Sequence, residues 1–311
     1  MRRIEKGHYI QFIQVFLSLG QSLALAAVLL IVSACSSPGS IGAGLSSLTP
    51  LQVLQKSANA MQKLSSVHFE TTTGGAYLAG NAGTPATPTA SNGSFNLKAS
   101  GDALLPNQER SQITVNQSIN FAEVVTADKV YIQNTKGQWY VLDKSTLQGY
   151  AGSNPFAGID LSNMNDWLAL LQHVQITDQG TQSLNGENLR HITAALDKAS
   201  LKQLLASNGQ LSSVFGSQNI DKALDAAKSL TATLDAWIDE STFYVHRTEL
   251  KFNLSSDLSS LLGTPTATAP SSVTTTLDSI VDLSKFNEPV TITPPANPIP
   301  TDNPLVIFGE Q

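Results

Sequence analysis

The chain has 311 residues, 41% of them hydrophobic and 14% charged, with a formal net charge of −6. A lightly charged, acidic composition lacks the clustered Lys and Arg that hold nucleic acid or an anionic membrane surface. The single cysteine excludes an internal disulfide framework and a thiolate metal site.

Arg2, Arg3 and Lys6 open the chain, apolar sequence follows from about Ile10, and its cleanest run is Leu23 to Val32. Basic, then apolar, then small residues is the order of a secretory leader. The tetrad Val32-Ser33-Ala34-Cys35 resembles the lipobox of bacterial lipoproteins, in which a diacylglycerol is attached to the cysteine sulfur and cleavage makes that cysteine the new N-terminus. That resemblance implies residues 1–34 as a removed leader, Cys35 as the lipid attachment site, and a body held on the extracytoplasmic side of a membrane, facing the periplasm or the cell surface. Two alternatives stay open at this point. Ile10 to Val32 is nearly long enough for an uncleaved anchor, although Gln11, Gln14 and Gln21 interrupt it, and a leader could carry a chance cysteine.

Residues 35–48, rich in Ser and Gly, read as a flexible tether with a reach of roughly 20 Å. Thr49-Pro50-Leu51-Gln52 is a helix start: Thr caps, Pro suits the first turn, and Gln three residues on completes a capping box. Leu51, Leu54, Ala58 and Met61 then recur at helical spacing.

At Val67 the period changes to two, with Val67, Phe69 and Thr71 alternating against His68, Glu70 and Thr72. Residues 74–93, rich in Gly, Thr and Pro, read as a long loop. Strands are predicted at 94–104, 108–117, 118–126, 129–133 and 138–142, the last two flanking the turn Asn134 to Gly137. Short turns between consecutive strands imply an antiparallel meander. A helix after Ser162, carrying Met164, Trp167, Leu168 and Leu171, comes next. Strands at 174–184 and 188–196 flank Asn185-Gly186, the best local hairpin signal. Helices are expected from Asp197, with Leu201, Leu204 and Leu205, and from Ile220 to Leu230; Leu211 to Phe215 has no clear period. Strands at 231–238 and 243–254 form a hairpin, 255–272 is a second loop, 273–283 and 290–292 close the sheet, and 296–311 is a Pro-rich tail.

Residues 49–295 thus read as a single α+β domain. The phrases Leu64-Ser-Ser-Val-His-Phe69, Ala236-Trp-Ile-Asp-Glu-Ser-Thr242 and Asp282 to Pro294 resemble the LppX/LprAFG lipoproteins. The resemblance implies the fold shared with the LolA and LolB carriers: a curved antiparallel half-barrel wrapped over several helices, with an apolar cavity between. It also implies a bound acylated lipid or glycolipid. Candidate wall residues are Trp167, Leu168, Leu171, Leu201, Leu204, Leu205, Val214 and Phe215, chosen as the apolar residues of the middle segment. The two long loops depart from the family pattern and put the cavity mouth in doubt.

No catalytic signature accompanies these patterns. The histidines His8, His68, His173, His191 and His246 show no metal-ligand spacing, and there is no G-x-S-x-G elbow or P-loop. No catalytic residue, metal or cofactor is therefore expected. The expected partners are the membrane through the lipid anchor, a lipid ligand, and an export-machinery or envelope protein. The alternative function is an envelope lipoprotein that binds another protein and carries no lipid.

Overall fold

The computed structural model describes residues 48–80, 92–146, 174–199, 227–257, 272–303 and 306–307. The helix α1 spans Pro50–Met61. Twelve strands follow: β1 (Ser66–Gly80), β2 (Asn92–Leu104), β3 (Gln108–Val115), β4 (Ile119–Val125), β5 (Lys129–Gln133), β6 (Trp139–Asp143), β7 (Gln175–Leu184), β8 (Glu187–Asp197), β9 (Ala227–Ile238), β10 (Val245–Asp257), β11 (Ser272–Ser284) and β12 (Ile299–Pro300).

The strands form one open sheet in the order β12-β6-β5-β4-β3-β2-β1-β11-β10-β9-β8-β7. All pairings are antiparallel except that of β12 with β6. Two meanders therefore meet at β1, which hydrogen-bonds β2 on one side and the last long strand, β11, on the other. We call β2 to β6 the first wing and β7 to β11 the second. The expected meander is present, and Asn185 and Gly186 turn with φ of 53° and 88°, the left-handed pair a two-residue hairpin needs.

The capping box at α1 is formed: the Gln52 amide donates to Thr49 Oγ1 at 3.2 Å, and the Thr49 amide donates to Gln52 Oε1 at 2.9 Å. The buried stripe is Val53, Ser57, Ala58 and Met61, whereas Leu51, expected on it, is 40% exposed. Val53, Ser57 and Met61 stand four residues apart and share one line along the helix, and Leu51 falls to the side of it.

Several expectations are corrected. The stretch 74–93 is not a loop throughout, because β1 continues to Gly80 and β2 begins at Asn92. Gly75 faces Phe95 across the strands, and a Cβ there would lie 2.4 Å from the Phe95 ring. Glycine here marks close packing inside a sheet, which composition alone reads as loop. Likewise β10 reaches Asp257 and β11 starts at Ser272, inside the second expected loop.

Ala227 to Leu230, expected to end a helix, open β9 and pair with β10, so non-local pairing overrides local helical spacing. Val290 to Ile292 form no strand; Ile299 and Pro300 instead pair with Tyr140 and Val141 of β6. Among the described residues α1 is the one complete helix, so a cover of several helices is not shown. Most of the other expected helical segments, including 162–171 and 201–205, lie outside the described residues. No helix among the described residues is long and apolar enough to cross a membrane.

Candidate functional site: the inner face of the sheet

Because side chains alternate along a strand, the cross-strand register sorts the sheet into two faces. The inner face can be followed without a break. One row runs Ile113, Ala99, Thr71, Val281, Thr248, Ala236, Ile192, and the next runs Val115, Leu97, Thr73, Ser279, Leu250, Leu234, Ala194.

The helix α1 lies on one end of this face. Val53, Ala58 and Met61 pack in a cluster with Val67, Phe69, Ala103, Ile192, Ala236, Ile238, Val245, Val281 and Leu283. Farther along the same strands, Leu234, Leu250, Phe252, Leu254 and Leu277 continue the apolar face and are only half-buried. The first wing carries a second cluster, Leu97, Val115, Phe121, Val125, Val130, Ile132 and Leu142, closed by Ile307 from the C-terminal tail.

Polar groups on the inner face are few and deeply placed. Glu123 is 2% exposed, and Glu109 sits on the neighbouring strand of the same face, one pair along. Burial pushes the Glu109 carboxyl up to about 7, partly offset by a hydrogen bond to Ser111 and by Lys144. Burial and the nearby Glu109 hold Glu123 well above the usual carboxylate range. Thr73 Oγ1 and Ser279 Oγ share a hydrogen bond of 2.8 Å across β1 and β11.

At the edge of the second wing, Arg190 has a side chain 8% exposed. Its Nη2 donates to Asp178 Oδ2 at 2.6 Å and to the Leu48 carbonyl at 2.7 Å, and its Nη1 donates to Glu240 Oε1 at 2.9 Å. The hydrogen bond to Asp178 raises the guanidinium above its ordinary value and lowers Asp178. This clamp fixes the residue from which the N-terminal segment leaves the body.

Along β1 and the second wing the outer face carries ion pairs. His68 Nδ1 lies 2.7 Å from Asp102, His191 Nε2 lies 2.8 Å from Asp235, and Arg247 makes a two-point contact with Asp282 at 2.6 and 2.8 Å. His68 and His191 thus each set one ring nitrogen beside a carboxylate. A shallow groove of about 560 Å3 crosses this face over Gly74, Thr231, Thr233, Lys251, Asn253 and Asp278. No group of three or more His, Cys, Asp or Glu suited to a metal is present among the described residues.

Cys35 and the candidate wall residues Trp167, Leu168, Leu171, Leu201, Leu204, Leu205, Val214 and Phe215 all lie outside the described residues. What sequence reading missed is the sheet side of the site. The alternation of Leu250, Phe252 and Leu254 with Lys251 and Asn253 was the available signal. Nothing local distinguishes the buried Glu123 from a solvent-facing glutamate, because the second cluster assembles around it from five strands and the tail.

No protein-family model and no curated protein matches the sequence. Among solved structures, the chain is similar to the Mycobacterium tuberculosis lipoprotein LppX at 18% identity, covering 78% of this chain and 98% of that one, with a TM-score of 0.43. It is similar to LprF from Mycobacterium bovis at 18% identity, covering 80% and 97%, with a TM-score of 0.39. A putative outer membrane lipoprotein-sorting protein domain from Vibrio parahaemolyticus shares 7% identity over 78% and 93%, with a TM-score of 0.23. None of these similarities assigns a ligand to the chain.

Proposed function

We propose that the inner face of the sheet is a binding surface for the acyl chains of a lipid or glycolipid, in a non-enzymatic lipoprotein anchored through Cys35 on the extracytoplasmic side of a membrane. The observation that carries the reading is the apolar surface beyond α1, where Leu234, Leu250, Phe252, Leu254 and Leu277 stay half-buried. Large apolar residues from neighbouring strands form a floor suited to hydrocarbon. Each methylene taken from water onto that floor contributes about 0.8 kcal/mol, so a long chain needs few polar contacts.

The anchor and the floor have separate roles in this reading. Acylation at Cys35 holds the protein at the membrane, and the tether ends at Leu48, where the Arg190 clamp begins. Lipids would be met at the membrane surface and shielded there from water.

Organic extraction and mass spectrometry of the full-length protein recovered from envelopes test the proposal. Bound acyl lipid is expected, with a rise in melting temperature when lipid is added back. Protein that is consistently empty, unshifted by lipid and recovered with a stoichiometric protein partner would replace it with the protein-interaction reading. Cys35→Ala is expected to release the protein from membranes and to leave lipid binding intact.

A further inference from the structure

Buried side-chain polar atoms nearly always find a hydrogen-bond partner, because an unpaired one has lost water without compensation. Among the described residues, Ser57 Oγ, Thr71 Oγ1, Glu123 Oε1 and His191 Nδ1 have none. His191 belongs to the outer face, where its ring stacks on Trp237 at 4.3 Å. Glu123 is on the inner face but three strands from β1, roughly 14 Å at the ordinary strand spacing. Ser57 and Thr71 remain, 0% and 3% exposed.

Both belong to the α1 end of the inner face. Ser57 stands on the sheet-facing stripe of α1, between Val53 and Met61. Thr71 follows Phe69, which packs in the cluster under that helix, and shares its face of β1. The next residue on this face shows what Thr71 lacks: Thr73 is satisfied by Ser279 directly opposite, whereas Thr71 is flanked by Val281 and Ala99. Those neighbours offer a hydroxyl neither a donor nor an acceptor.

Two lone hydroxyls beside an apolar floor are complementary to an acceptor that brings no charge and no proton of its own. The buried cation of this wing, Arg190, is already held by Asp178, Glu240 and the Leu48 carbonyl, so it is committed away from a phosphate. Resting on the lipid reading above, we propose that Thr71 and Ser57 donate hydrogen bonds to the carbonyl oxygen of an acyl ester, placing the ester of the lipid beside α1 and its chain along Leu250, Phe252 and Leu254. Thr71 and Ser57 then set which lipids fit: esters are favoured over ethers of the same length, since an ether lacks the carbonyl.

The test is displacement of a fluorescent acyl probe from the full-length protein by methyl oleate and by oleyl methyl ether. Wild type is expected to hold the ester at least about fivefold more tightly, the worth of roughly one hydrogen bond. Thr71→Val, nearly isosteric, should narrow the preference at an unchanged or higher melting temperature, and Thr71→Ser should retain it. Ser57→Ala should weaken it independently. Equal affinity of wild type for the two ligands, or an ester preference that survives both Thr71→Val and Ser57→Ala, would overturn the assignment while leaving the lipid floor standing. A protein that binds neither the probe nor either ligand would overturn the lipid reading itself, and this assignment with it.

Discussion

The two wings share one sheet and one inner face, yet they are closed in different ways. The first wing closes on itself: five strands and Ile307 surround a core that contains Glu109 and Glu123. The second is closed from outside, by α1 laid over the ends of its strands and by Arg190 tying the chain at Leu48 to β7 and to the β9–β10 turn. The first wing has spent its apolar surface on its own packing. The second leaves a continuation of that surface beside the helix, and this is why the ligand site is assigned there. Charge divides along the same line, with carboxyls pushed toward their neutral form by burial in one wing and a guanidinium paired with carboxylates in the other.

The contrast can be broken at several points. The largest effect is expected from Phe69→Ala, which removes the ring on which α1 rests. A loss of about 4 kcal/mol in urea unfolding is expected, with α1 amides losing exchange protection before those of β4 and β5. Equal loss of protection in both wings would show that they are closed as one unit.

The glutamates should make the first wing sensitive to alkali. A carboxyl whose folded value is raised contributes full stability below its unfolded value, near 4.5, and loses it as pH rises through the folded value, about 7 for Glu109 and higher for Glu123. Glu109 alone should therefore cost about 2–3 kcal/mol of stability between pH 5 and pH 8, and Glu123 adds to the fall in the same direction. Glu123→Gln should flatten that fall, as read by melting temperature across the range. A melting temperature that rises with pH over this interval would contradict the burial assigned to the pair.

Gly75→Ala tests the seam between the wings. The added methyl meets the Phe95 ring at 2.4 Å and the Thr276 carbonyl at 2.9 Å, so a cost of about 2 kcal/mol is expected. Phe95→Ala in the same chain should recover only the part due to the ring, because the carbonyl belongs to the backbone of β11. The smallest effect is expected at the cap: Thr49→Ala should cost about 1 kcal/mol and act on α1 alone, leaving the pH response of the first wing unchanged.

Much of the fold is written in short windows. The alternation through Val67, Phe69 and Thr71, the Asn185-Gly186 turn and the Thr49 capping box are each complete within a few residues, and each is found where sequence reading puts it. These features depend on backbone geometry and on the side-chain period, which are local properties. The sheet side of the candidate site was legible only in part. Leu250, Phe252 and Leu254 announce an apolar face, but their sequence does not say that α1 stops short of them.

What the tertiary structure alone decided lies at long range. Thr73 meets Ser279 across 206 residues, and β11 returns to β1 to make one sheet of two meanders. That pairing draws glycines 74 and 75 into a strand and leaves Thr71 opposite Val281 with its hydroxyl unpaired, and pairing with β10 turns Ala227 to Leu230 from a helical pattern into β9. The physical reason is common to all three. Burial, and with it the ionisation of Glu123 and the satisfaction of a threonine hydroxyl, is set by what arrives from distant parts of the chain, and local periodicity carries no record of that arrival.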